Sequence, residues 1–134
     1  MRTILQLLAG ASSCAAFVLL ARRLAPRNEC RLYALGLVVA ALVYVGFAAR
    51  GVSPGWLILE LSGAAAFTLF AFAGLKGPHW ILAGGWATHS AWDVLLHKLS
   101  ETTFVPGWYP VACAAFDILL AGYIAERFAK KVSR

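Results

Sequence analysis

Five runs of apolar residues divide this chain, and little else fits between them. They cover residues 3–21, 32–49, 55–75, 79–98 and 109–126. Each has roughly the 20 residues that a helix needs to cross the ~30 Å hydrocarbon core of a bilayer. In lipid a backbone must satisfy its own hydrogen bonds, so such runs become helices. The expected fold is therefore all-α: one membrane domain over 1–134, a polytopic bundle of five transmembrane helices. Composition agrees. The chain is 61% hydrophobic and 13% charged, with a mean hydropathy of +0.75. Soluble domains carry about 25% charged residues, and a soluble chain this short could not hide so much apolar surface.

The breaks are short and polar. Arg22-Arg23 ends the first run, Gly51-Val52-Ser53-Pro54 precedes the third, Lys76-Gly77-Pro78 the fourth, and SETTFVPGW leads into the fifth. Connections this short predict that consecutive helices pack as antiparallel neighbours. Met1-Arg2 followed by an apolar run resembles a cleavable leader. The run continues to two arginines, however, and Ala11-Ser12-Ser13-Cys14 lacks the branched residue of a lipobox, so a retained helix is expected.

A net charge of +6 raises the question of nucleic acid. The cations instead flank apolar runs, in Arg22, Arg23, Arg27 and Arg31 and in Arg127, Lys130, Lys131 and Arg134, so no nucleic-acid partner is expected. Of the 12 Lys and Arg, only Arg2, Arg50 and Lys98 fall at one end of the helices. The positive-inside rule then puts the N-terminus outside and the C-terminus in the cytoplasm. The three cysteines form no CxxC pair and make no disulfide framework; they read as small buried hydrophobes. His79 and Tyr33 read as interfacial residues, and FVPGWYP as an interfacial turn.

Within these runs stand an acid and two imidazoles in register: His89, Asp93 and His97 in GWATHSAWDVLLHK span an arc of about 80° on an α-helix. Glu60 and Asp117 lie on two other runs. At ~1.5 Å per residue, Glu60 and Asp93 fall about 8 Å from the same end of the bundle, Asp117 about 12 Å and His89 about 14 Å. Tyr44 belongs to this layer, His97 lies near its mouth, and Arg50 and Lys98 at its rim. Glu60 shares a face with Gly63 and Ala64, and Asp117 with Cys113, Ala114 and Ala121. Small residues let helices approach in lipid, so the polar groups should point into the bundle.

A charge in the bilayer centre costs roughly 2.5–3.5 kcal/mol on insertion scales. Three kinds of compensation are open. Asp93 and Asp117 can pair with histidines as purely structural links, which leaves Glu60 with only Arg50 in reach. His89, Asp93, Glu60 and Asp117 can hold a divalent metal ion, with Tyr44, His97, Arg50 and Lys98 placed for a lipid substrate. The same groups without metal can move protons on an isoprenoid or sterol-like lipid, or form an ion path, although the other half of the helices offers few polar residues. The leading expectation is a membrane-embedded enzyme, either a metal-dependent hydrolase or an acid/base isomerase or cyclase, with Glu60, His89, Asp93 and Asp117 as catalytic residues. Proton- or ion-coupled transport and a structural accessory subunit are the alternatives, and a homo-oligomer is left open.

GWATHSAWDVLLHK, FVPGWYP and FDILLAGY together resemble a family of small bacterial inner-membrane proteins of no assigned function, over about residues 79–123. That resemblance implies a bacterial cytoplasmic membrane and carries over no catalytic residue. A looser likeness in logic links the chain to membrane hydrolases with His and Asp ligands on separate helices, whose motif spacing is not reproduced here.

Overall fold

The computed structural model describes residues 1–50, 53–98 and 104–129, all of them helical or in short connections. Lys130, Lys131 and Arg134 of the C-terminal basic cluster lie outside the described residues. The helices are α1 (Arg2–Ala21), α2 (Pro26–Ala48), α3 (Pro54–Lys76), α4 (Trp80–Trp92) and α5 (Tyr109–Ala129). A π-helical segment, Asp93–Lys98, continues α4.

Proline opens both α2 and α3, where its fixed φ suits the first helical turn and its missing N–H is not needed. Helix α2 therefore begins six residues before the apolar run at 32. Hydropathy located the oily part of the helix and missed its polar first turns, so Glu29 belongs inside the bundle.

Three helices, α1, α2 and α3, are long and apolar enough to cross a membrane. The expected five spans outrun this result. The α-helical part of α4 has 13 residues, and α5 carries Asp117 midway with Glu126 and Arg127 near its end.

Burial is distributed as in a protein solvated by something other than water. Ile4, Leu5, Leu8, Leu19, Leu35, Ile58, Leu69 and Phe72 are exposed, while Glu29, Glu60, His89, Asp93, His97 and Asp117 are buried. Soluble proteins bury such acids rarely and do not expose apolar surface on this scale.

The helices pack in the order α1, α5, α4, α3, α2, with α2 also touching α4. Helix α1 thus lies along α5 instead of along α2, contrary to the neighbour rule. Gly10 meets α5 at Ala112 and Ala115, and Phe17 meets it at Phe116, so the pair runs parallel. A Cβ on Gly10 would strike the Ala112 carbonyl oxygen, so the close approach depends on glycine. The cleft left between α1 and α2 holds a cavity of about 360 Å³.

Candidate functional site

Helices α4 and α5 each carry two polar residues four apart, His89 and Asp93 facing Cys113 and Asp117. Their ligand-type atoms all lie within 4.8 Å of one another. Four residues advance an α-helix by just over one turn, so each pair projects from one face. His89 Nδ1 is 2.6 Å from Asp117 Oδ2 and 3.6 Å from Asp93 Oδ2. Cys113 Sγ lies 3.8 Å from both Asp117 oxygens. The Tyr44 hydroxyl donates to Asp93 Oδ1, which leaves Oδ2 facing the imidazole. His89 Nε2 is buried with no hydrogen-bond partner among the described residues.

Asp93 begins the π-helical segment. Its i→i+5 bonding widens the turn, and such turns recur at functional sites. The wider turn breaks the register expected for His97. Its Nε2 stands 2.7 Å from Glu60 Oε1 on α3. Trp92 Nε1 donates to the other Glu60 oxygen at 3.2 Å. The indole lies so close over Gly63 that a Cβ there would be only 2.5 Å from a ring carbon. Glu60 therefore belongs to a second group and is not one of the four clustered residues. Arg50, the one cation expected within its reach, does not pair with it.

Tyr44 joins the two groups. Its hydroxyl holds Asp93 while its ring stacks on His97, with centroids 4.0 Å apart. The other predicted contributors, Arg50 and Lys98, are exposed at the rim and enter neither group. Two residues were missed by sequence reasoning. Cys113 read as a small hydrophobe, although the CxxxD of α5 mirrors the HxxxD of α4. Glu29 read as part of a loop.

At the far end of the bundle, Glu29 accepts from Arg127 Nε at 3.1 Å, from the Tyr33 hydroxyl at 2.9 Å and from Tyr123 at 3.2 Å. Tyr33, expected at an interface, is fully buried here. Between the two ends the core is filled by Leu37, Leu82, Trp86, Leu120 and Ile124, all fully buried.

The α1–α2 cavity reaches the site. Ala9, Gly10 and Val39 wall it, Trp86 lies deeper, and Cys113 and Asp117 line it. Two of the four clustered residues thus face a mostly apolar space that opens sideways.

Fold and site define a small helical protein with three candidate membrane helices and a buried His/Asp/Cys cluster. The chain belongs to a family described as of unknown function, DUF6010, whose model matches residues 5–130. No curated protein and no solved structure matches it.

Proposed function

We propose that this protein is a membrane-embedded, metal-dependent enzyme that acts on the polar end of a lipid. The observation that carries the reading is the four-residue cluster at the wall of the lateral cavity. One imidazole, one thiol and two carboxylates are a donor set suited to Zn²⁺ or a similar transition metal. Tetrahedral ligands at ~2.0–2.1 Å stand about 3.3 Å apart. The 2.6 Å between His89 and Asp117 is therefore a hydrogen bond that must open slightly to admit an ion. A metal held there would polarise a carbonyl or phosphoryl oxygen and acidify a water. Tyr44 fixes the Asp93 carboxylate from behind. The apolar cavity takes the chain of the substrate, and 360 Å³ is within the usual range for ligand pockets.

In this reading α4 and α5 cross the same apolar layer as α1–α3, which makes five spans. The excess of cations at the Glu29 end supports a cytoplasmic position for that end in a bacterial membrane, with the site near the outer face. The apolar core between the two ends supports an enzyme over a transport path.

A second reading has its own support. Every described buried acid has a partner, and even Glu60 pairs with His97, so the polar groups can act purely as packing links.

Elemental analysis separates the two. The protein is purified without a histidine tag, beside Asp93→Asn and Cys113→Ser. About one equivalent of transition metal, reduced in both variants, is expected. Cobalt(II) added to stripped protein should give a thiolate charge-transfer band that Cys113→Ser abolishes. Metal-free protein that also fails to develop that band leaves the structural reading standing.

A further inference from the structure

At the end of the bundle remote from His89 lies a second cavity, of about 430 Å³. The first turns of α2, the end of α3 and the start of α4 surround it. Arg27, Arg31, Lys76 and His79 line it together with Phe72 and Leu75. Among the described residues none of Arg27, Arg31 and Lys76 makes an ion pair. The acid closest to them in sequence, Glu29, is fully buried and held by Arg127, so it does not neutralise the cavity. Two helix starts add to the positive field, and the C-terminal end of α3 offsets part of it. Pro26 and Arg27 bring the N-terminus of α2 to the wall, and His79 is the N-cap of α4. His79 is fixed in place, with Nδ1 3.1 Å from the Gly74 carbonyl oxygen and 3.4 Å from Cys30 Sγ.

Three unpaired cations around one concavity describe a site for a phosphate group. The surroundings choose its source. Lys76 Nζ sits 4.6 Å from the centre of the Phe72 ring. Phe72 and Leu69, both exposed, continue along the same face of α3 away from the cavity. The cavity is thus the polar head of an apolar track. A soluble anion has no use for that track, whereas a diacyl lipid fills both parts.

We propose that this cavity binds the phosphate of an anionic membrane lipid, with an acyl chain laid along Phe72 and Leu69. The lipid would hold the ends of α2, α3 and α4 together at a place where the described residues supply cations and no counter-charge. This site is separate from the His89 cluster and does not depend on any chemistry there.

Native mass spectrometry and thermal unfolding test the proposal. Full-length protein in neutral detergent receives phosphatidylglycerol, phosphatidylcholine or inorganic phosphate. Phosphatidylglycerol alone is expected to remain bound and to raise Tm in a concentration-dependent way. In Arg27→Gln/Arg31→Gln/Lys76→Gln it should bind about a hundredfold more weakly. The three side chains are exposed and unpaired, so the variant should keep its lipid-free Tm. Should the variant unfold, Lys76→Gln alone is the second test, with a smaller loss of binding expected. Equal phosphatidylglycerol binding by wild type and variants overturns the proposal, as does equal binding of phosphatidylcholine. An equal rise in Tm with inorganic phosphate assigns the cavity to a soluble anion and overturns the lipid.

Discussion

Tyr44 touches both polar groups of the site. Its hydroxyl donates to Asp93 and its ring covers His97. Tyr44→Phe removes the first contact and keeps the second, so it isolates what the hydrogen bond does. Hydrogen bonds to a ligating carboxylate fix its orientation, and loss of such outer partners typically costs 10–100-fold in metal affinity. Tyr44→Phe should therefore weaken cobalt(II) binding by about tenfold or more, and it should lower the metal-free stability by about 1–3 kcal/mol because a buried carboxylate oxygen loses its donor. Competition with a chromophoric chelator reads the affinity. An unchanged affinity would mean that Asp93 is not a ligand. Residue-level reading of the sequence reached Tyr44, His89, Asp93 and Asp117, because helix order and spacing fix depth and face. It missed Cys113, because a lone cysteine among alanines carries no signal until the opposite helix supplies the matching pair.

At the scale of elements, α2 and α5 are tied together at the basic end by Glu29 and Arg127, and the tie is asymmetric. Glu29 is fully buried, whereas the Arg127 side chain is 31% exposed. Removing Arg127 leaves a buried carboxylate with only two tyrosine hydroxyls. Removing Glu29 leaves a guanidinium that can turn to water. Arg127→Gln should destabilise by about 3 kcal/mol, toward the lower bound for breaking a buried pair. Glu29→Gln should cost about 1 kcal/mol, the net worth of ordinary hydrogen bonds. Thermal unfolding in detergent ranks them, and the reverse order would show that the Glu29 carboxylate does not depend on Arg127. This tie was illegible in the sequence, since Glu29 sits among arginines in a stretch with the composition of a loop. The parting of Glu60 from Asp93 was equally hidden. Regular α-helical spacing keeps His97 with Asp93, and only the π-helical turn hands it to Glu60.

For the whole molecule, the number of helices that cross a bilayer decides where the site lies. By length and apolar exterior, α1, α2 and α3 are three candidates. Helix α4 packs on both α3 and α5, and α5 packs on α1, so α4 and α5 share the bundle with the long helices. Trp108 at the start of α5 is exposed at the same end as the start of α3, as an interfacial indole would be. Five spans place residues 55 and 107 on one side of the membrane and residue 23 on the other. Single cysteines test this in a background with Cys14, Cys30 and Cys113 changed to alanine. Gly55→Cys and Gly107→Cys are suitable because a Cβ at either meets nothing within 4 Å. Arg23 is exposed beyond the end of α1. With an impermeant maleimide on intact cells stripped of their wall, Gly55→Cys and Gly107→Cys should label and Arg23→Cys should not. Labelling of Gly107→Cys together with Arg23→Cys, from the side opposite Gly55→Cys, would show that α4 and α5 do not both cross. The His89 cluster would then lie at a membrane surface, and the lateral cavity between α1 and α2 would no longer open on lipid at the depth the proposed enzyme requires.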